Sequence, residues 1–113
     1  MTELPRTTYE RATRGYDEEF KAALVSETGR AIFNASMVTD ANIMAFRTGE
    51  TIEALTTCLI ATAAMSPHFD VPSHLREFAE NTARRIRRGV AEARAEGLGE
   101  DFIFGAQRKG GTA

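Results

Sequence analysis

The sequence predicts an all-α fold, a small helical bundle of about three helices completed by dimerisation, and three of its features carry that reading. Apolar residues recur at spacings of three and four along the chain, the period of one helix face. Proline and glycine cluster between the periodic stretches, at Ser66-Pro67 and at Gly97 and Gly99. The central stretch, from Ala54 to Met65, is apolar or small around its whole circumference, as helices covered on several sides are.

A chain of 113 residues has room for one domain, and a domain of this size buries only about two-thirds of the surface of its unfolded chain. Charged residues make up 27% and hydrophobic ones 42%, with a net charge of −2, so the totals indicate neither disorder nor a strongly basic nucleic-acid binder. The single cysteine, Cys58, excludes an intrachain disulfide and a cysteine metal cluster and fits a reducing compartment. The first residues lack the charged region, apolar run and cleavage site of a secretory signal, which leads to the expectation of a cytoplasmic protein. The longest stretch without charge begins at Ala54, stops at Asp70 and contains Pro67 and His68. That is short of the roughly 20 apolar residues a spanning helix needs, so no membrane span is expected. Arginine outnumbers lysine twelve to two and alanine is abundant, a bias shared with high-GC bacterial genomes.

Residues 1–15 are polar, with Pro5 and Gly15, and read as a flexible arm with at most one helical turn, ahead of a helical domain over 16–104. The first helix starts near Tyr16, because Tyr16, Phe20, Ala23, Leu24 and Thr28 share a face and Asp17, Glu18 and Glu19 place negative charge in the first turn, where the helix dipole favours it. It either stops at Gly29 or runs on through Ala35. The alternation over Ala31–Val38 leaves a short strand open there.

A second helix begins at Thr39 or Asp40 or, with a break near Arg47–Gly49, at Thr48. The later start makes Gly49 a first-turn residue and avoids an interior glycine, which costs about 1 kcal/mol relative to alanine. Ser66-Pro67 ends this helix, since proline lacks the amide proton and disfavours a helical predecessor. Asp70 then reads as the N-cap of a third helix with Pro72 in its first turn. Leu75, Ala79, Thr82, Ile86, Gly89 or Val90, and Ala93 form its apolar stripe, and Gly97 and Gly99 terminate it. Phe102, Ile103 and Phe104 predict that the following segment docks back on the body or on a partner, while residues 105–113 read as a flexible tail.

A helix apolar all round cannot be covered by one or two neighbours. Each large apolar side chain left in water forgoes roughly 1.5–3 kcal/mol, so the sequence predicts a homodimer, with a heteromeric helical partner or a monomeric bundle as the other arrangements. The expected contact involves Ala54, Leu55, Cys58, Leu59, Ala61, Thr62 and Met65 of the second helix and Ile86 and Val90 of the third.

Arg84, Arg85, Arg87 and Arg88 form the dense charge cluster of the chain. Guanidinium groups pair with phosphate oxygens, so a nucleic-acid-binding face is one reading. A solvated face is the favoured one, because Glu80, Arg84, Arg88 and Glu92 fall four apart as a ladder of weak ion pairs and no helix-turn-helix spacing, zinc-finger pattern or aromatic box accompanies them. His68, Asp70 and His74 have the chemistry of metal ligands, but three or four oriented ligands are needed for tight binding, and Asp70 is better used as a cap. Cys58 has apolar neighbours and reads as packing, not as a nucleophile. Glu50 and Glu53 lie one turn apart without the histidine of a carboxylate metal bundle. No glycine-rich phosphate loop leads into a helix. Neither cofactor nor enzymatic activity is expected, and binding or scaffolding is the expected role.

Overall fold

The chain is all-α. A computed structural model describes residues 9–13 and 15–105, in which three long helices are joined by short connections and one pair of two-residue strands. Within the expected N-terminal arm, Tyr9–Thr13 forms a short helix, α1; the rest of the arm up to residue 8, and the tail beyond Gly105, lie outside the described residues. The chain divides into two compact units, one made of Met1–Phe46 with Leu98–Ala113 and the other of Arg47–Gly97.

The first unit is built on α2 (Glu18–Ser36). Asp17 caps it, its carboxylate accepting from the Phe20 amide at 2.9 Å, and Glu18 and Glu19 occupy the first turn, so both the orphan amides and the helix dipole are met by sequence. The helix does not stop at Gly29 but passes through it and buries it, along with Ser36. The Ser36 hydroxyl donates to the Ile32 carbonyl at 2.8 Å.

Of the alternating segment Ala31–Val38, only the last two residues are extended. Met37–Val38 (β1) pairs antiparallel with Ile43–Met44 (β2), Met37 opposite Met44 and Val38 opposite Ile43. Between them Asn42 adopts φ 52°, and the amides of Ala41 and Asn42 donate to the Val38 carbonyl. Asparagine tolerates the left-handed region better than most residues. This turn rules out the earlier start of the second helix at Thr39 or Asp40.

The same unit receives the end of the described chain. After a single turn, α5 (Leu98–Glu100), a π-helical turn spans Asp101–Gly105 and packs on α2. Ile103 is 7% exposed and is the one buried large apolar residue among those described. The Phe104 ring meets Phe33 of α2 edge-on, centroids 5.9 Å apart, a preferred aromatic geometry. The predicted docking of Phe102–Phe104 on the body is thus met within this unit.

The second unit is an αα-hairpin. Its first helix, α3 (Thr48–Ala64), takes the later of the two predicted starts, with Gly49 in the first turn. Ser66 and Pro67 end it and lead into a 3-10 turn, Pro67–Asp70, followed by α4 (Pro72–Glu96). The expected N-cap at Asp70 is corrected: Val71 holds that place, at φ −89° and ψ 115°, and Asp70 closes the preceding turn. Proline at the first helical position imposes an extended conformation on its immediate predecessor, which is Val71. Gly97 ends α4 at φ 70°, its amide donating to the Ala93 carbonyl, the left-handed cap that glycine adopts at least cost.

Candidate helix-packing surface

The chemistry of α3 begins with its threonines. The hydroxyls of Thr51, Thr56, Thr57 and Thr62 donate to the carbonyls of Arg47, Ile52, Glu53 and Cys58, each four residues earlier, at 2.7–3.0 Å. A hydroxyl engaged in this way presents its methyl group outward. From Ala54 to Ala64 the helix therefore carries no charge and no hydroxyl proton that needs a partner, and it can enter an apolar environment without leaving a donor unmet.

Among the described residues nothing supplies that environment. None of the 17 residues of α3 is buried, and Ile52, Leu55, Leu59 and Ile60 are between 41% and 64% exposed. All nine residues expected at the oligomer contact are exposed: Ala54, Leu55, Cys58, Leu59, Ala61, Thr62 and Met65 around α3, and Ile86 and Val90 on α4. Cys58, read as packing, is a free and exposed thiol in the single copy.

Between α3 and α4 lies a cleft of about 570 Å³. Leu59, Ile60, Ala63 and Ala64 line it from α3, Leu75, Phe78, Ala79, Thr82, Ala83 and Ile86 from α4, and Ser66, Phe69 and Asp70 from the turn. The Phe69 and Phe78 rings, centroids 4.8 Å apart, join the turn to α4. A cavity of this size and lining can take apolar side chains of another element. The separation of the two helices that creates it has no signature in either helix alone.

The four clustered arginines are all exposed on α4. The Glu80–Arg84–Arg88–Glu92 ladder is not formed: among the described residues, ion pairs join Arg30 to Glu27 and Arg47 to Glu50, and Arg84 donates instead to the side-chain carbonyl of Asn81. Exposed pairs at this spacing are worth a few tenths of a kcal/mol, too little to hold long side chains against water or a nearer amide. Glu50, by contrast, accepts from the Arg47 guanidinium, and this hydrogen bond is the main cause that holds its carboxyl below the ordinary glutamate range.

His68 and His74 do meet, but as stacked rings 4.3 Å apart, with His74 Nδ1 3.1 Å from the His68 carbonyl oxygen. Parallel stacked imidazoles do not aim their nitrogens at a common point. Among the described residues no group of three or more His, Cys, Asp or Glu side chains could hold a metal ion, so His68, Asp70 and His74 do not form the metal set considered from the sequence. In the first unit, Ser26 Oγ, Glu27 Oε1 and Arg30 Nε and Nη2 are shielded without a hydrogen bond, Glu27 and Arg30 standing 3.6 Å apart as an ion pair. No helix among the described residues is long and apolar enough to cross a membrane. Compared with known protein families, curated proteins and solved structures, the chain matches none.

Proposed function

We propose that this chain is a small, non-enzymatic helical interaction or scaffolding protein of the cytoplasm, working as a homodimer in which the Arg47–Gly97 hairpin packs against the same hairpin of a second copy. The observation that carries the reading is the exposure of α3, a charge-free helix with internally bonded threonines and no buried residue. Four large side chains, each about half exposed, leave roughly 3–6 kcal/mol of burial unrealised in every copy. That is comparable with the whole stability of a small domain. A second copy meets the need with the same surface on both sides, as a two-fold contact requires. A single exposed thiol at Cys58 is compatible with a reducing cytoplasm.

Light scattering coupled to size exclusion tests this. The expected mass is twice the 12.4 kDa of the chain; a mass of one chain maintained up to about millimolar concentration overturns it, since specific interfaces of useful affinity lie below that. A nucleic-acid reading is favoured by one observation, the four exposed guanidinium groups with no ion pair among the described residues. It requires a mobility shift at low salt that weakens steeply as salt rises.

A further inference from the structure

Resting on the homodimer reading, we infer that the two copies cross antiparallel along α4, with Arg85 of each copy paired to the partner's Glu92. Leu75, Ala79, Thr82, Ile86, Gly89 and Ala93 alternate by four and three along α4, the seven-residue repeat of a helix-pairing seam. Two rows flank that seam, Phe78, Arg85 and Glu92 on one side and Arg76, Ala83 and Val90 on the other. Flanking rows set orientation and register through their charges.

In a parallel pair each row meets the opposite row, which places Arg85 beside Val90 and brings no opposite charges together. In an antiparallel pair each row meets its own kind. One register then sets Arg85 against Glu92 twice and Ala83 against Val90 twice, related by the two-fold axis. The two neighbouring registers set Arg85 on Arg85 or Glu92 on Glu92 and are repelled. Charge thus selects one arrangement.

Two observations on the single chain fit it. Arg85 and Glu92 are both exposed, and neither has an ion pair among the described residues. Gly89, inside a 25-residue helix, has nothing within 4 Å of where a side chain would begin beyond its chain neighbours and its own helix backbone, so no packing contact among the described residues accounts for a residue that weakens helices. The selected register lays Ile86, 57% exposed in the single copy, over the partner's Gly89.

Sedimentation velocity on the full chain tests the pairing, with Arg85→Glu, Glu92→Arg and the double exchange. Each single variant turns two attractive contacts into like-charge ones and should weaken dimerisation about tenfold. The double exchange should restore it to within about threefold. Circular dichroism confirms that helicity is kept, and if one single variant loses it the other reads the same contacts from the opposite side. A dimer whose affinity the single changes leave alone, or the double exchange does not restore, overturns this pairing and leaves the homodimer standing. A wild-type chain that is monomeric overturns both.

Discussion

Truncation of Ile103 to alanine tests whether the π-helical turn anchors α2. The side chain is 7% exposed, the one large apolar group so shielded among the described residues. Isoleucine-to-alanine changes at buried sites cost about 2–5 kcal/mol, the spread reflecting how far the surroundings collapse into the cavity. The turn also holds Phe104 against Phe33, a contact worth roughly 0.5–1.5 kcal/mol that loosens if the turn lifts. The expected loss is therefore in the upper part of that range, about 3–5 kcal/mol, against a total of about 5–15 kcal/mol for a domain of this size. Urea unfolding followed by circular dichroism, at one fixed protein concentration for both chains, reads it. With a slope of about 1–3 kcal/mol per molar, the midpoint should fall by at least about 1 M without a change in slope. A loss under about 1 kcal/mol would refute the argument, because it would mean that the turn rests on α2 without holding it.

Gly97→Ala should destabilise the chain by about 1–2 kcal/mol in the same assay, through the backbone, because φ is 70° and nothing beyond the residue itself and its chain neighbours lies within 4 Å of the added methyl; an unchanged or raised midpoint contradicts the left-handed cap. Arg47→Ala should return the Glu50 carboxyl toward the ordinary glutamate range, since the guanidinium hydrogen bond is the first cause of its depression. A depressed carboxyl adds stability above its unfolded value and loses it as pH falls through the folded value, so the start of α3 in the wild type should fray in acid more than in the variant. A side-chain carbon NMR titration in which Glu50 has the same midpoint in both chains would refute this.

The parts legible in the sequence are those set by neighbours along the chain. The acidic first turn of α2 was readable at Glu18 and Glu19, but not its start: the helix begins at Glu18 and not near Tyr16, with Asp17 as its cap and not in its first turn, whereas the Gly97 end of α4 follows from glycine after a long stripe. The break near Arg47–Gly49 was readable from the cost of an interior glycine. The docking of Phe102–Phe104 was readable from bulk alone, though not its seat beside Phe33. What failed depended on competition between close alternatives. Asp70 and Val71 both precede α4, and proline's effect on its predecessor outweighs the better capping side chain. The Glu80–Arg84–Arg88–Glu92 spacing was ideal, yet spacing does not bring exposed ions together when water and Asn81 compete. The stacking of His68 on His74 depends on a 3-10 turn whose path the sequence leaves open.

The two units stand differently toward association. The first has Ile103, Gly29 and Ser36 buried, so part of its stability belongs to one copy. The second has no buried residue anywhere from Arg47 to Gly97; its apolar cleft and the whole surface of α3 gain only by being covered. A partner that binds the folded hairpin and not the unfolded chain stabilises it in proportion to the logarithm of concentration. Where that partner is a second copy, as proposed above, folding of the hairpin and formation of the dimer would be a single equilibrium, and the stability of the α3–α4 surface would rise with protein concentration. In the antiparallel pairing proposed above, Arg84, Arg87 and Arg88 fall on outward positions of α4.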